Sequence, residues 1–209
     1  MTKYEWRKQD KALYLPKAVP TLVTVPTFNY YTITGHGDPN ESEFGERTAA
    51  LYAAAYGIRM MPKSGTLPAG YYEYTVFPLE GLWTLAPDDV RADGSFDKAD
   101  LDYQIMLRQP DFVTPALAAA NLTAVQAKKP NSYLSEVHFE ALTDGHCLQM
   151  LHVGSFDTEP ASFQQLAAYA DAHHLKRRTL AHKEIYLSDP RRTVADKRKT
   201  VLRWLLTDS

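Results

Sequence analysis

Glu184 stands in the stretch His182-Lys-Glu-Ile-Tyr-Leu187, where charged residues interrupt a β-branched and aromatic run. Read as a strand, its period-two alternation puts Glu184 and Tyr186 on one face, with Ile185 and Leu187 on the other. A carboxylate walled by rings loses hydration, which raises its pKa. It then suits two tasks: general base for an attacking water, or counter-ion to a bound cation. If Ile185 and Leu187 face the helices, Glu184 faces a cleft; the plainer alternatives are exposure to solvent or pairing with Arg191, Arg192 or Arg203. The chain also carries 13 tyrosines, 3 tryptophans and 8 phenylalanines. Ring faces stack on planar molecules and attract positive charge, so Tyr52, Tyr72, Tyr74, Trp83, Phe112, Tyr133 and Tyr186 are candidate ligand walls. Each is equally a candidate for core packing, because Tyr72 and Tyr74 share a face whose direction alternation alone does not assign.

Other chemistries find little support. The single cysteine, Cys147, allows no internal disulfide and reads as a small buried apolar side chain. His146 and His152 share a face of one strand while Cys147 points away, and His173-His174 ends a helix, so no metal ligand set emerges. Gly35-His36-Gly37 is not a dinucleotide fingerprint, and no nucleophile elbow or phosphate loop is present. The reading is therefore metal-free and cofactor-free. Acidic and basic residues number 25 and 23, for a net charge of -2. Lys176-Arg-Arg178 and Lys197-Arg-Lys199 form a solvated basic face, and no direct nucleic-acid binding is expected. The N-terminus is charged where a signal peptide needs an apolar run, and no stretch reaches membrane-spanning length, so the expected location is cytoplasmic, with no membrane partner.

The elements that must hold these residues follow from propensity and punctuation. Phe28 to Thr34 reads as a strand, followed by a helix capped at Asn40 or Ser42, with Phe44, Leu51, Ala55 and Ile58 at helical spacing and Pro62 beyond its end. Further strands are expected over Gly70 to Phe77 and Leu101 to Arg108, with Asp93-Gly94 as a turn between them. Thr114 to Lys128 is alanine-rich, with Pro115 suited to a first helical turn. Ser135 to Leu142 and Cys147 to Val153 read as a hairpin turning at Asp144-Gly145. Phe163, Leu166, Tyr169 and Ala170 mark a second helix face, and strands follow over His182 to Leu187 and Val201 to Leu206. The strand-helix-strand-strand order thus occurs twice: His36-Gly-Asp-Pro39 before Phe44 parallels His152-Val-Gly154 before Pro160 and Phe163, and Glu73 parallels Glu184. An internal duplication accounts for this.

The C-terminal third, Lys183-Glu-Ile-Tyr-Leu-Ser-Asp-Pro190-Arg-Arg192 with Lys197-Arg-Lys-Thr-Val-Leu-Arg203, resembles the GyrI-like small-molecule-binding family. The Gly154-Ser-Phe-Asp-Thr-Glu-Pro160 stretch, running on through Phe163 to Tyr169, is similar to the family's second-half helix start. The resemblance covers about residues 20–206. It implies an α+β fold of duplicated βαββ modules with pseudo-twofold symmetry, plus an inserted central helix and strand. The expected domain spans 1–209, with a first half over about 20–110, a connecting helix and strand over about 111–143, and a second half over about 144–206. It further implies a cleft between the halves for a small aromatic or cationic ligand. Free-standing relatives that hydrolyse cyclopropane-containing DNA-alkylating compounds are similar to this chain in carrying the extra helix. By that resemblance Glu184 orients water and Tyr133 donates to the carbonyl that gains negative charge. Tyr4 to Lys17 is too short for the helix-turn-helix of the family's regulators, and the alternative role is a non-catalytic sequestering or protein-interaction module, as in the gyrase-inhibiting relative.

Overall fold

Six strands and five helices form among the described residues, which are 3–65, 67–91 and 96–208 of this computed structural model. The strands are β1 (Thr21–His36), β2 (Leu79–Thr84), β3 (Asp102–Gln109), β4 (His138–Val153), β5 (Arg177–Tyr186) and β6 (Lys199–Leu206). The helices are α1 (Trp6–Gln9), α2 (Lys11–Tyr14), α3 (Ser42–Met60), α4 (Pro115–Lys128) and α5 (Glu159–Ala172). Unit 1 comprises Met1–Glu5, Phe28–Phe77 and Thr84–Leu142; unit 2 comprises Trp6–Thr27, Pro78–Trp83 and Thr143–Ser209. None of the described helices is long and apolar enough to cross a membrane.

In unit 1, β1 pairs antiparallel with β3, placing Ile33 opposite Ile105 and Tyr31 opposite Leu107. The helix expected after Pro39 is α3, which buries Ala50, Leu51, Ala54, Ala55 and Ile58 at three- and four-residue intervals. Its cap is Glu41 rather than Asn40 or Ser42, because Asp38 Oδ1 instead accepts from the Asn40 backbone and side chain. The helix α4 begins as its sequence predicts, with Thr114 Oγ1 accepting the Leu117 N–H at 3.2 Å and Pro115 in the first turn. Buried Asn121 of α4 donates to Ala54 O at 2.9 Å and to Tyr31 Oη at 3.1 Å, while the Tyr31 hydroxyl donates to Ala118 O at 3.1 Å. Those bonds fix both helices to β1 without leaving a buried amide unsatisfied.

Two strand expectations are corrected. The segment from Gly70 to Phe77 is not a strand: only Tyr74 makes an isolated parallel bridge, to Tyr4, and the regular strand is β2. Tyr71 and Tyr72 both pack on Phe112, so the rings close around a common centre instead of alternating across a pleat. Nor do Asp144 and Gly145 turn a hairpin, for β4 runs unbroken through them. Gly145 takes φ 71, a left-handed value that shifts the alternation in mid-strand without reversing the chain. The Asp93-Gly94 turn lies outside the described residues.

The sheet of unit 2 has the order β2, β5, β6, β4, antiparallel throughout. Against one face α5 packs Leu166 and Ala170 onto Leu148, Met150, Leu202, Trp204 and Leu206. The opposite face holds a buried ionic cluster: Lys183 Nζ lies 2.7 Å from Asp144 Oδ1 and 3.3 Å from Glu80 Oε2, and Arg203 Nη1 lies 3.0 Å from Asp144 Oδ2. Arg203 also donates to Gln149 Oε1 and to Leu13 O, Gln149 donates to Ala12 O, and the Tyr14 hydroxyl donates to Glu80 Oε1. Thus α2 is fastened over this face by polar contacts. Burial alone raises the Asp144 pKa, but the neighbouring Lys183 and Arg203 charges outweigh it and hold the carboxyl below its ordinary value.

Removing one partner leaves buried charge uncompensated, so Asp144→Asn is expected to cost about 3–5 kcal/mol in denaturant unfolding at neutral pH. Because the folded-state pKa is depressed, this stabilisation is present above the unfolded value and disappears as pH falls through the folded one. The gap between wild type and Asp144→Asn should therefore narrow in acid, as chemical unfolding followed at a series of pH values would reveal.

Candidate functional site

The register of unit 2 sets Glu184 opposite Leu202 of β6 and Gly81 of β2, with His182 opposite Trp204 and Trp83. Glu184 and Tyr186 therefore share the α5-covered face with Leu202 and Trp204, and Ile185 is on the other side. The condition set for a cleft-facing Glu184, that Ile185 and Leu187 face the helices, is therefore not met for Ile185. The strand alternates as read, but the ionic cluster occupies the face opposite α5.

Glu184 is 9% exposed and is held by donors from its own strand. His182 Nε2–H donates to Glu184 Oε1 at 3.0 Å, and the Tyr186 hydroxyl donates to the same carboxylate while accepting from Trp83 Nε1 at 2.8 Å. Arg203 is committed to Asp144 and Arg191 to Asp189, so neither supplies the charge pairing considered for Glu184. Burial first, and then the Glu184 charge, raises the Tyr186 pKa well above the ordinary phenol value, keeping its proton in place. Rings surround the group: Phe163 meets His182 edge-on at 4.8 Å and stacks on Trp204 at 6.3 Å, and Phe156 meets Tyr186 edge-on at 6.1 Å. Gly81 leaves room for this arrangement, since a β-carbon there would lie 2.7 Å from Trp83 Nε1 and 3.3 Å from Tyr186 Oη.

A second acid belongs to this unit. Glu159, the first residue of α5, is 6% exposed, and its Oε1 has no hydrogen-bond partner among the described residues. Burial, reinforced by the charges of Glu184 and Asp157, pushes its pKa up to about 9. The start of α5 is anchored beside it, where His152 Nε2–H donates to Ser155 O at 3.0 Å and His152 Nδ1 accepts from Ser162 Oγ at 2.9 Å. An open groove of about 640 Å³ runs along that anchor, with His152, Ser155, Thr158, Ser162 and Gln165 in its walls. Glu184, Tyr186 and Trp83 do not line it. Among the described residues no group of three His, Cys, Asp or Glu side chains is placed to hold a metal ion. Cys147 is fully buried, and burial pushes its thiol up to about 11.

Of the residues singled out in the sequence, unit 2 brings Trp83, Glu184 and Tyr186 together. Within unit 1, Tyr72, Tyr74 and Phe112 form an aromatic cluster, Tyr72 and Tyr74 lying 5.3 and 6.1 Å from Phe112. Tyr74 is 1% exposed and so enclosed in that cluster. Tyr52 sits half-buried beside Tyr56, and the Tyr133 ring lies under the Arg47 guanidinium at 4.4 Å. Partial burial, with the nearby Glu43 carboxylate next, raises the Tyr133 pKa. Sequence reasoning missed Glu159, His182, Phe156 and Phe163 as site neighbours. An acid opening a helix reads as a partner for the helix dipole, which conceals burial.

Residues 19–204 match the model of the GyrI-like small molecule binding domain. The crystal structure of a hydrolase from Listeria innocua is 33% identical and superposes with a TM-score of 0.89, over 98% of this chain and 100% of that one. A second structure of a hydrolase from the same organism is 32% identical, with a TM-score of 0.90 over 99% and 100% of the two chains. An uncharacterised conserved protein of Listeria innocua is 34% identical, with a TM-score of 0.90 over 98% and 100%. The EcmrR C-terminal domain, at 11% identity and a TM-score of 0.54 over 94% and 99%, shares the fold. No curated protein matches the chain.

Gly81→Ala tests whether the Trp83 and Tyr186 contact is as close as the geometry requires. Forcing a methyl group into this packing should destabilise the protein by about 1–3 kcal/mol and shift the tryptophan emission, both measurable in one urea titration followed by fluorescence. Unchanged midpoint and emission would show that the contact has slack.

Proposed function

The chain belongs to the GyrI-like small-molecule-binding family, and on that premise we propose that it binds planar or cationic aromatic xenobiotics and hydrolyses cyclopropane-containing DNA-alkylating compounds. The observation that carries this reading is the environment of Glu184: a carboxylate in a nearly closed, ring-lined site, oriented by His182 and Tyr186 and left without Arg203 or Arg191 as counter-ion. Two of the similar Listeria innocua structures are of proteins described as hydrolases, which favours turnover over storage. In the same reading the halves over about residues 20–110 and 144–206 derive from one βαββ plan.

The chemistry needs three things from the protein. Aromatic faces hold the flat ligand by stacking, a role open to Trp83 and Tyr186, which are hydrogen-bonded to each other, and to Phe163, which packs on His182. Glu184 takes a proton from water as the water oxygen attacks the strained ring carbon, and holding water and carbon together supplies a large part of the acceleration. A hydroxyl donor has to stabilise the carbonyl that gains negative charge; Tyr133, given that role by the resemblance, belongs to unit 1, where its ring lies under Arg47. These steps call on no metal and no organic cofactor.

Incubation of the purified protein with a spirocyclopropane alkylator, followed by mass spectrometry, should reveal the ring-opened product carrying one added water. Glu184→Gln should lower the rate by about 10²-fold or more while the compound still quenches tryptophan fluorescence. Equal rates in wild type and variant would remove Glu184 from catalysis, and quenching without any product would assign the protein to sequestration.

A further inference from the structure

We infer that Glu159 is the acid partner of Glu184: the two buried carboxyls carry one proton between them, that proton resides on Glu159, and Glu159 gives it up during ring opening. The proton count stands on the geometry of unit 2, whereas the catalytic half rests on the proposed hydrolysis.

The two acids are 6% and 9% exposed, and α5 brings them to one face: Phe163, one turn after Glu159, packs on His182 at 4.8 Å, and His182 Nε2 lies 3.0 Å from Glu184 Oε1. Their surroundings differ in one respect. Glu184 receives hydrogen bonds from His182 and Tyr186, which stabilise its ionised form. Glu159 Oε1 is enclosed with no hydrogen-bond partner among the described residues, and the groups that act on its charge are the acids Glu184 and Asp157. Two like charges brought out of water into one site do not both persist, and the member with fewer donors keeps the proton. The other polar groups facing this region are already engaged. His152 of β4 is tied to Ser162 and Ser155, His182 and Tyr186 of β5 serve Glu184, and Arg198 lies 5.7 Å over the outer face of Phe156. The raised pKa of Glu159 agrees with this allocation.

Such a pair closes the proton balance of the reaction. Water bonds to the ring carbon as Glu184 takes one of its protons. The cyclopropane carbon–carbon bond breaks, its electron pair moves into the conjugated carbonyl, and the carbonyl oxygen takes the proton of Glu159. Glu184 then holds a proton taken from water while Glu159 is ionised, and transfer of that proton from Glu184 to Glu159 restores the resting pair. Substrate plus water becomes a ring-opened alcohol with a protonated oxygen, and nothing else is consumed.

The test uses full-length protein labelled with carboxyl-13C glutamate and follows each carboxyl resonance against pH. The signal missing from Glu159→Gln should titrate near 9 in the wild type and move toward the ordinary carboxylate range in Glu184→Gln, where its like-charged neighbour is gone. A Glu159 signal that titrates in the ordinary range, or that Glu184→Gln leaves unmoved, overturns the shared proton. In turnover of the spirocyclopropane compound, the wild-type kcat should fall at alkaline pH as Glu159 ionises. Glu159→Gln should lower kcat by about 10-fold or more with KM little changed and abolish that alkaline limb, and Glu159→Asp should restore part of both. Wild-type kcat and limb in Glu159→Gln would overturn the acid role. If the wild type turns over no compound, the hydrolysis reading and with it the acid role fail, while the carboxyl titration still decides where the proton resides.

Discussion

A carboxyl group withdrawn from water either finds donors and cations to stabilise its charge or gives the charge up by holding a proton, and both outcomes occur on the sheet of unit 2. On the face away from α5, Asp144 is surrounded by Lys183, Arg203 and their hydrogen-bond partners and stays ionised below its ordinary pKa. On the α5 face, Glu159 meets other acids and stays protonated into alkaline pH. Glu184, on that same face, accepts hydrogen bonds from one imidazole and one phenol. The same four strands thus set the ion-paired cluster and Glu184 on opposite faces by a single alternation of side chains.

That separation explains how the protein tolerates an acid suited to chemistry. Arg203 would stand opposite Glu184 had β5 and β6 been offset by one residue, whereas Lys183, next to Glu184 on one strand, faces away from it in any register. Their commitment to Asp144 draws both cations to the opposite face, where α2 and Gln149 enclose them. The cluster therefore supports the site at a distance: it fixes strand register, and register decides that Glu184 faces rings and hydroxyls. Unit 1 spends its aromatic residues differently, closing Tyr71, Tyr72, Tyr74 and Phe112 upon one another and binding α3 and α4 through Asn121.

Membership of the GyrI-like family places small-molecule binding within reach of this fold, and the acids of unit 2 lie among aromatic rings. The polar partners already present, His182, Trp83 and Tyr186, are directed at Glu184.

Much of the local structure was legible in the residues themselves. The cap and proline of α4, the apolar stripe of α3 and the pairing of Glu184 with Tyr186 on one face follow from short-range sterics and period, which depend on neighbours a few positions away. The strand expected at Gly70 to Phe77 failed because its rings pack on Phe112, and the hairpin at Asp144-Gly145 failed because Asp144 is needed by Lys183 and Arg203, contacts that no local pattern encodes. Which face α5 covers, the room that Gly81 gives Trp83, and the burial of Glu159 beside Glu184 were decided by tertiary structure alone. Period assigns side chains to faces; only strand register and helix docking decide what each face meets, and it is that meeting which sets the hydration and the proton of every acid here.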